Sequence, residues 1–467
     1  MGKQHFAAML LSGAFLLCPA VVGAAEMGKA VTMQDTVNAT ILSHRTIKSM
    51  QENRDVIIHE LRQAKAGWGP RVDATTRGGF SNLSNSTSRA IDRRTDNGFY
   101  GAWSAGVTLV QPLWDGFATR SRVRNAEATL DSMTERVFDN ATSFGLDGII
   151  AHIDVLRRRE ILRLAAQNVQ RHRDILASSQ ERMAVGADTQ ADVTQTQGRL
   201  ARALSQLSEA KSALRDGEET YRRVTNMPAP DNMAPIELPE RLFTGTEPIL
   251  EEAKRSNPKL SAYINDIKAS RANRELTTAA FHPIVNLEAG PNYSDRSGRG
   301  SNWVKGFEVM ATMRWNLFNS GADVAAYDAA SSRVRLSRQV MYNFLDDLTQ
   351  EVENTWTVYI SAQEQYQHYM DAIGYNTLTR DSYLEQFMTG QRSLLDVLDS
   401  ESELFNSSTQ AVTSRGNILV ATYRMLALSG VLLPDLNIDT TNLYDAPKEP
   451  VVPEGPSPFK TRLARKQ

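Results

Sequence analysis

The chain has 467 residues, 41% of them apolar and 23% charged, enough to bury one large core or to divide into several domains. Its formal net charge is -2, so no basic excess points to nucleic acid. Cys18 is the single cysteine, which excludes an internal disulfide and a cysteine-built metal centre.

Residues 1–25 read as a secretory signal peptide. Lys3 and His5 precede an apolar run from Phe6 to Leu17, and Gly23, Ala24 and Ala25 offer a small-residue cleavage site before Glu26. A lone membrane anchor is the competing reading, but a run of about 12 residues is short of the ~20 that a spanning helix needs. Leu17 before Cys18 argues against a lipoprotein, which needs a small residue there. Beyond residue 25 no apolar stretch reaches ~18 residues, so any crossing of a membrane falls to strands.

Residues 26–226 read as a first structural repeat: a short helix (31–66), strands 71–80 and 103–113, a long helix 118–184, a turn at Val185-Gly186 and a return helix 188–226. The strand candidates alternate. Val72, Ala74, Thr76 and Phe80 oppose Asp73, Thr75 and Arg77; Trp103, Ala105, Val107 and Leu109 oppose Ser104, Gly106 and Thr108. The connection from Ser81 to Ala102 is rich in Ser, Asn, Arg and Gly and reads as a solvated outer loop. The long helix contains no proline, and about 66 residues at ~1.5 Å each make a rod of roughly 100 Å.

Residues 227–248, five of them proline, join the halves as an equatorial linker. Residues 249–432 then repeat the pattern: a short helix, strands 284–293 and 307–317, a long helix 322–388, a turn at Thr389-Gly390 and a return helix 392–430. Val285, Leu287, Ala289 and Tyr293 share one face, as do Phe307, Val309, Ala311, Met313, Trp315 and Leu317. The return helices show the duplication directly. Val193, Leu200, Leu207, Leu214 and Tyr221 recur every seven residues, and Val397, Leu404, Ala411, Ile418 and Met425 do the same 204 positions later. A seven-residue apolar period specifies a coiled-coil seam. An ordinary amphipathic helix explains one such stretch; two in register indicate one unit written twice. Residues 433–467, Pro-, Asp- and Lys-rich, are expected to form a largely disordered periplasmic tail, the disorder running from Ala446 to the end.

Strands of about ten residues with one oily face match tilted membrane-spanning strands; a soluble sheet packed on a core is the competing reading. Four strands cannot close a barrel, and an open edge in lipid leaves backbone groups unpaired at several kcal/mol each. Three chains would share twelve strands around a water-filled lumen, whereas two would give eight, nearly filled by side chains. The expected fold class is an α+β membrane protein, a shared twelve-stranded transmembrane β-barrel continued by a long α-helical coiled coil.

Short tags flank the strands: Gly67-Trp68-Gly69-Pro70 and Phe281-His282-Pro283 before them, Pro112-Leu113-Trp114-Asp115-Gly116 and Asn316-Leu317-Phe318-Asn319-Ser320-Gly321 after them. With these tags and the segment from Phe387 to Asp399, the chain resembles TolC-type outer-membrane factors, in their type I secretion branch, over nearly all of the mature sequence. The resemblance implies a homotrimer in the outer membrane of a Gram-negative bacterium, its tunnel extending into the periplasm. It further implies a periplasmic adaptor (membrane fusion protein) and either an inner-membrane ABC transporter or a proton-driven multidrug pump as partners. By the same resemblance Asp396 and Asp399 form the entrance constriction, Arg392 and Asp192 belong to gate ties, and Val185, Gly186, Thr389 and Gly390 are adaptor-contacting tips. Phe387 stands where that family usually has tyrosine, and Ala191 where it can have a hydroxyl residue, so two ties open to relatives are not available here.

Asp396 and Asp399 lie three apart, on one helical face. Three subunits would gather six carboxylates into a ring that favours cations, while a solvated acidic first turn is the plainer alternative. No His-Glu-x-x-His, phosphate-cradling glycine loop or nucleophile elbow occurs, so neither enzymatic activity nor a cofactor is expected. His152, His172 and His368 are isolated on the rods and read as surface or seam residues. A soluble periplasmic coiled-coil protein is the remaining function of a different class.

Overall fold

The computed structural model describes residues 30–82, 99–187, 189–297 and 302–444. The signal peptide, the central parts of both outer loops and the chain from residue 445 lie outside the described residues. The first half runs through α1 (Met33–Ser43), α2 (Arg45–Ala66), β1 (Arg71–Ser81), β2 (Tyr100–Trp114), α3 (Ala118–Ala184) and α4 (Gln190–Thr225). The second runs through α5 (Thr246–Ser256), α6 (Pro258–Thr278), a 3-10 turn (Ala279–Phe281), β3 (Ile284–Ser297), β4 (Asn302–Arg314), α7 (Ala322–Met388) and α8 (Leu394–Ser429), and ends in α9 (Leu432–Asp435).

The strands run longer than expected, β2 from Tyr100 to Trp114, β3 to Ser297 and β4 from Asn302, and the return helices start two residues later, at Gln190 and Leu394. Four further differences have a local cause. Each expected short helix is two helices, broken at His44 (φ -73, ψ 119) and Asn257 (φ -72, ψ 117), both extended. Pro258 forces Asn257 out of the helical region, and the Asn257 carboxamide caps α6 by accepting from Leu260 N at 3.0 Å. At His44 the ring Nδ1 accepts from Thr46 N at 3.3 Å. The first residues of α5 fall inside the expected linker. Strand β4 stops at Arg314 rather than at 317, because its partner Ile284 follows Pro283, which has no N–H to extend the ladder.

The fourth difference concerns the tail. Its first part, residues 433–444, is packed: Leu433, Leu436, Ile438 and Leu443, with Leu432 just before them, are buried in a core with Val37, Ile41 and Ile47 of α1 and α2. Arg54 Nη1 donates to Tyr444 O at 2.8 Å, and Arg241 pairs with Asp435 at 3.0 Å. The polar composition of the tail hid four apolar residues at positions able to pack.

The four strands form one antiparallel sheet in the order β1-β2-β3-β4. Its register places Val72 beside Leu109, Leu109 beside Ala289 and Ala289 beside Val309, so the oily sets of all four strands share one face. That face has no core against it; Val72, Phe80, Phe307, Val309 and Met313 are all exposed. Aromatic residues mark both ends of the sheet, Trp103, Tyr293 and Trp303 near the loops, and Trp114, Phe117 and Trp315 where strands meet helices. The outer edges of β1 and β4 pair with nothing in the sheet.

Two helical hairpins hang from the sheet, α3 with α4 and α7 with α8, with α6 wedged between α3 and α7. The seam residues Val193, Tyr221, Val397, Leu404, Ala411, Ile418 and Met425 are buried, and Thr196, Ala203, Ser400 and Ser407 lie buried beside them. The rods are unequal in cover. Of 67 residues each, 23 are buried in α3 and only 8 in α7. Leu336, Val340, Val358, Tyr375 and Leu378 of α7 remain exposed, a row of apolar side chains unpartnered within one chain.

A polar network fastens the equator. His152 is fully buried, its Nε2 donating to Ala234 O at 3.1 Å and its Nδ1 bonded to Thr36 Oγ1 at 2.9 Å, which is bonded in turn to the Tyr221 hydroxyl at 3.0 Å. The carbonyl can only accept, so Nε2 carries the proton and Nδ1 accepts from Thr36. His172 is also buried, bonded through Nδ1 to Asn168 O at 2.9 Å. Burial holds His152 below the usual imidazole range.

Candidate entrance at the hairpin tips

The two tips are built alike. Gly186 and Gly390 both have φ of 76, the left-handed region in which glycine carries no penalty. In each, the next residue reaches back to close the last turn: Ala187 N to Arg182 O, and Gln391 N to Gln386 O, both 2.8 Å. Val185 is 81% exposed, and Thr389 and both glycines are exposed as well. All four tip residues are therefore solvent-accessible in the single chain.

The return helices restart with matching caps. Thr189 and Ser393 are the N-caps, which puts Asp192 and Asp396 at the third helical position of α4 and α8. Asp192 completes a capping box, accepting from Thr189 N at 3.0 Å and from the Thr189 hydroxyl at 2.6 Å. These bonds hold the Asp192 carboxyl below the usual carboxylate range.

Arg392 and Asp192 are not brought together within the chain. Arg392 lies 2.9 Å from Asp396, one helical turn on, and its guanidinium stacks over Tyr383 at 3.9 Å from the ring centroid. The reason is local: the helix starts at Leu394, so the sequence places Arg392 and Asp396 four apart on one face while Asp192 is occupied by its own cap. Phe387, lacking a hydroxyl, is buried under Arg182, whose guanidinium stands 4.6 Å from the ring centroid.

Three arginines that the sequence reading missed govern the remaining charges. Asp399 is paired with Arg199 of α4 at 2.6 Å. Two residues on, Glu401 of α8 has a side chain only 6% exposed, clasped by Arg171 of α3 at 3.0 Å and Arg380 of α7 at 3.5 Å. This carboxylate ties both long rods to one return helix. An acid flanking the Val397 seam signals a buried charge in need of a cation, but sequence spacing does not say which arginine answers it. In one chain, then, Asp396 and Asp399 each face a guanidinium, and neither is a bare carboxylate.

Comparison with known proteins agrees with this architecture. The outer membrane efflux protein family matches residues 36–226 and 249–431, that is, both repeats. The chain is 24% identical over 431 residues to outer membrane efflux protein BepC of Brucella suis, covering 92% of this chain and 90% of that protein. It is 22% identical over 376 residues to alkaline protease secretion protein AprF of Pseudomonas aeruginosa, covering 78% and 74%. Among solved structures, the Campylobacter jejuni CmeC outer membrane channel superposes with a TM-score of 0.70 at 14% identity, covering 91% of this chain and 94% of that one. The chain belongs to the outer membrane efflux protein family, and is a channel-tunnel subunit of the outer membrane whose helical rods extend into the periplasm.

Proposed function

We propose that three copies of this chain form a passive export duct that serves an inner-membrane ABC transporter through a periplasmic adaptor, in type I protein secretion. The observation that carries it is the open four-stranded sheet, with an exposed oily face and two unpaired edges; in lipid only neighbouring strands can satisfy those edges. The exposed apolar row on α7 supports the same assembly, since a second copy is the partner such a rod lacks. Members of the family are homotrimeric channels working with adaptors and inner-membrane transporters, and the homologues are channels rather than enzymes.

The choice of protein as cargo draws on the likeness to AprF, whose name states protease secretion. A second reading, the outer component of a proton-driven multidrug pump, draws on the likeness to BepC, named an efflux protein. Deleting the gene separates them. Loss of a protein from the culture medium at unchanged drug susceptibility supports secretion; drug sensitivity with an unchanged secreted set supports efflux. A purified mature chain that stays monomeric and passes no ions in planar bilayers overturns the duct itself.

A further inference from the structure

The oily face of the sheet carries one feature that barrel closure does not need. Thr76, Ala105, Tyr293 and Lys305 stand side by side across all four strands on that face. They border a groove of about 780 Å³. The groove exists because Ala74, Thr76 and Ala105 are short while Tyr293 and Phe307 are long. Lys305 is the only cation on this face among the described side chains of the four strands, and its Nζ lies 5.4 Å from the Trp303 ring centroid.

Its height in the barrel gives the lysine a meaning. Lys305 precedes Arg314, the last residue of β4 at the helical end, by nine positions. At ~3.3 Å per residue and a tilt of ~40°, it sits roughly 23 Å above that end, near the top of the ~25 Å apolar band of an outer-membrane barrel. Trp103 and Tyr293, in edge-to-face contact at 5.2 Å, lie at the same level. A lysine among interfacial aromatics reaches the phosphates of lipid headgroups.

We infer that this groove binds a phosphorylated lipid of the outer leaflet, its phosphate on Lys305 and an acyl chain between Tyr293 and Phe307. Asp295, one row nearer the loops and with an Oδ1 that has no hydrogen-bond partner, opposes an anion there, so the ammonium is the group that selects phosphate. The inference rests on the reading of the sheet as part of a lipid-embedded barrel.

Three probes separate the sources of binding on the purified trimer by native mass spectrometry: phosphatidic acid, diacylglycerol with the same chains, and inorganic phosphate. Phosphatidic acid is expected to bind more tightly than either of the others. Lys305→Met should weaken it about fivefold, the loss of roughly one interfacial cation; Lys305→Arg should restore it and Asp295→Asn should strengthen it. Equal binding of phosphatidic acid by wild type and Lys305→Met overturns the inference, as does equal binding of diacylglycerol, a purely apolar groove, or full competition by inorganic phosphate, a free-anion site. Conductance is recorded on the same preparations. Trimers that conduct without this discrimination sink the lipid site alone, whereas a chain that never inserts sinks the barrel reading and the lipid site together.

Discussion

Arg199 Nη2 of α4 lies 2.6 Å from Asp399 Oδ1 of α8, so a carboxylate expected to line an anionic entrance meets a guanidinium from the other hairpin. The Asp399 side chain is 54% exposed, and such a pair contributes under about 1 kcal/mol to stability. Its effect on the local field is larger than its effect on the fold. Replacing Arg199 with Ala should therefore leave the trimer intact and raise its preference for cations, on the order of fivefold for ~1 kcal/mol of uncovered charge. Asp399→Ala should lower that preference. Reversal potentials across planar bilayers in a KCl gradient read both, and a shift of the same sign in the two variants removes Asp399 from the ion path.

The Glu401 clasp should act on opening rather than on selectivity. Its carboxylate is buried between Arg171 and Arg380, and removing one member of such a group leaves a poorly solvated charge behind, at a cost of up to about 3 kcal/mol. Glu401→Gln should loosen the join between the hairpins and raise single-channel conductance. Arg380→Ala should do more than Arg171→Ala, because the Arg380 side chain is 14% exposed and Arg171 is 42% exposed. Conductance equal to wild type in all three variants would show that the clasp plays no part in the closed entrance.

The tips make a separable prediction. Gly186 and Gly390 have φ of 76, and nothing stands within 4 Å of a Cβ added to either, so alanine there meets no clash but costs ~1 kcal/mol of left-handed strain. Val185→Arg carries no such backbone cost. If the tips receive the adaptor, Val185→Arg should abolish export and adaptor co-purification while trimers and their conductance persist. Retained co-purification with Val185→Arg would move the contact elsewhere.

Much of this fold was legible because periodic patterns record it without knowledge of neighbours. The seven-residue seams ending at Tyr221 and Met425, and the period-two faces from Val72 to Met313, needed only counting. The breaks at His44 and Asn257 were not legible in the apolar pattern, which runs through them, although Asn257-Pro258 carried a local signal. Charge pairing was the least legible part. Asp192 and Asp396 occupy the same position in the two repeats, yet one closes a capping box and the other meets Arg392, whose counterpart 204 positions earlier is Asp188. Arg199 meets Asp399 200 positions away and Glu401 meets Arg171 230 positions away, while Arg380 reaches Glu401 across the α7–α8 turn; no helical spacing encodes any of these pairs.

His152 predicts a pH dependence of the equatorial belt. Its folded pKa lies below the unfolded value of 6.5 because burial penalises the charged ring, and nearby Arg159 adds to the effect against the hydrogen bond to Ala234. Above pH 6.5 both states hold a neutral ring, and the full contribution to stability is present. As pH falls from 6.5 through the folded pKa, the unfolded chain takes up a proton that the folded chain refuses, and stability is lost. Below the folded pKa both states are charged, and the loss is complete. Protonation also puts a hydrogen on Nδ1, which can then no longer accept from Thr36, so the chain through Tyr221 breaks at its centre. Thermal dissociation of detergent-solubilised trimers should therefore show a lower midpoint at pH 5 than at pH 7.5. His152→Gln should be less stable at pH 7.5 but lose less on acidification. Equal acid sensitivity of the two would assign the pH dependence to groups outside this network.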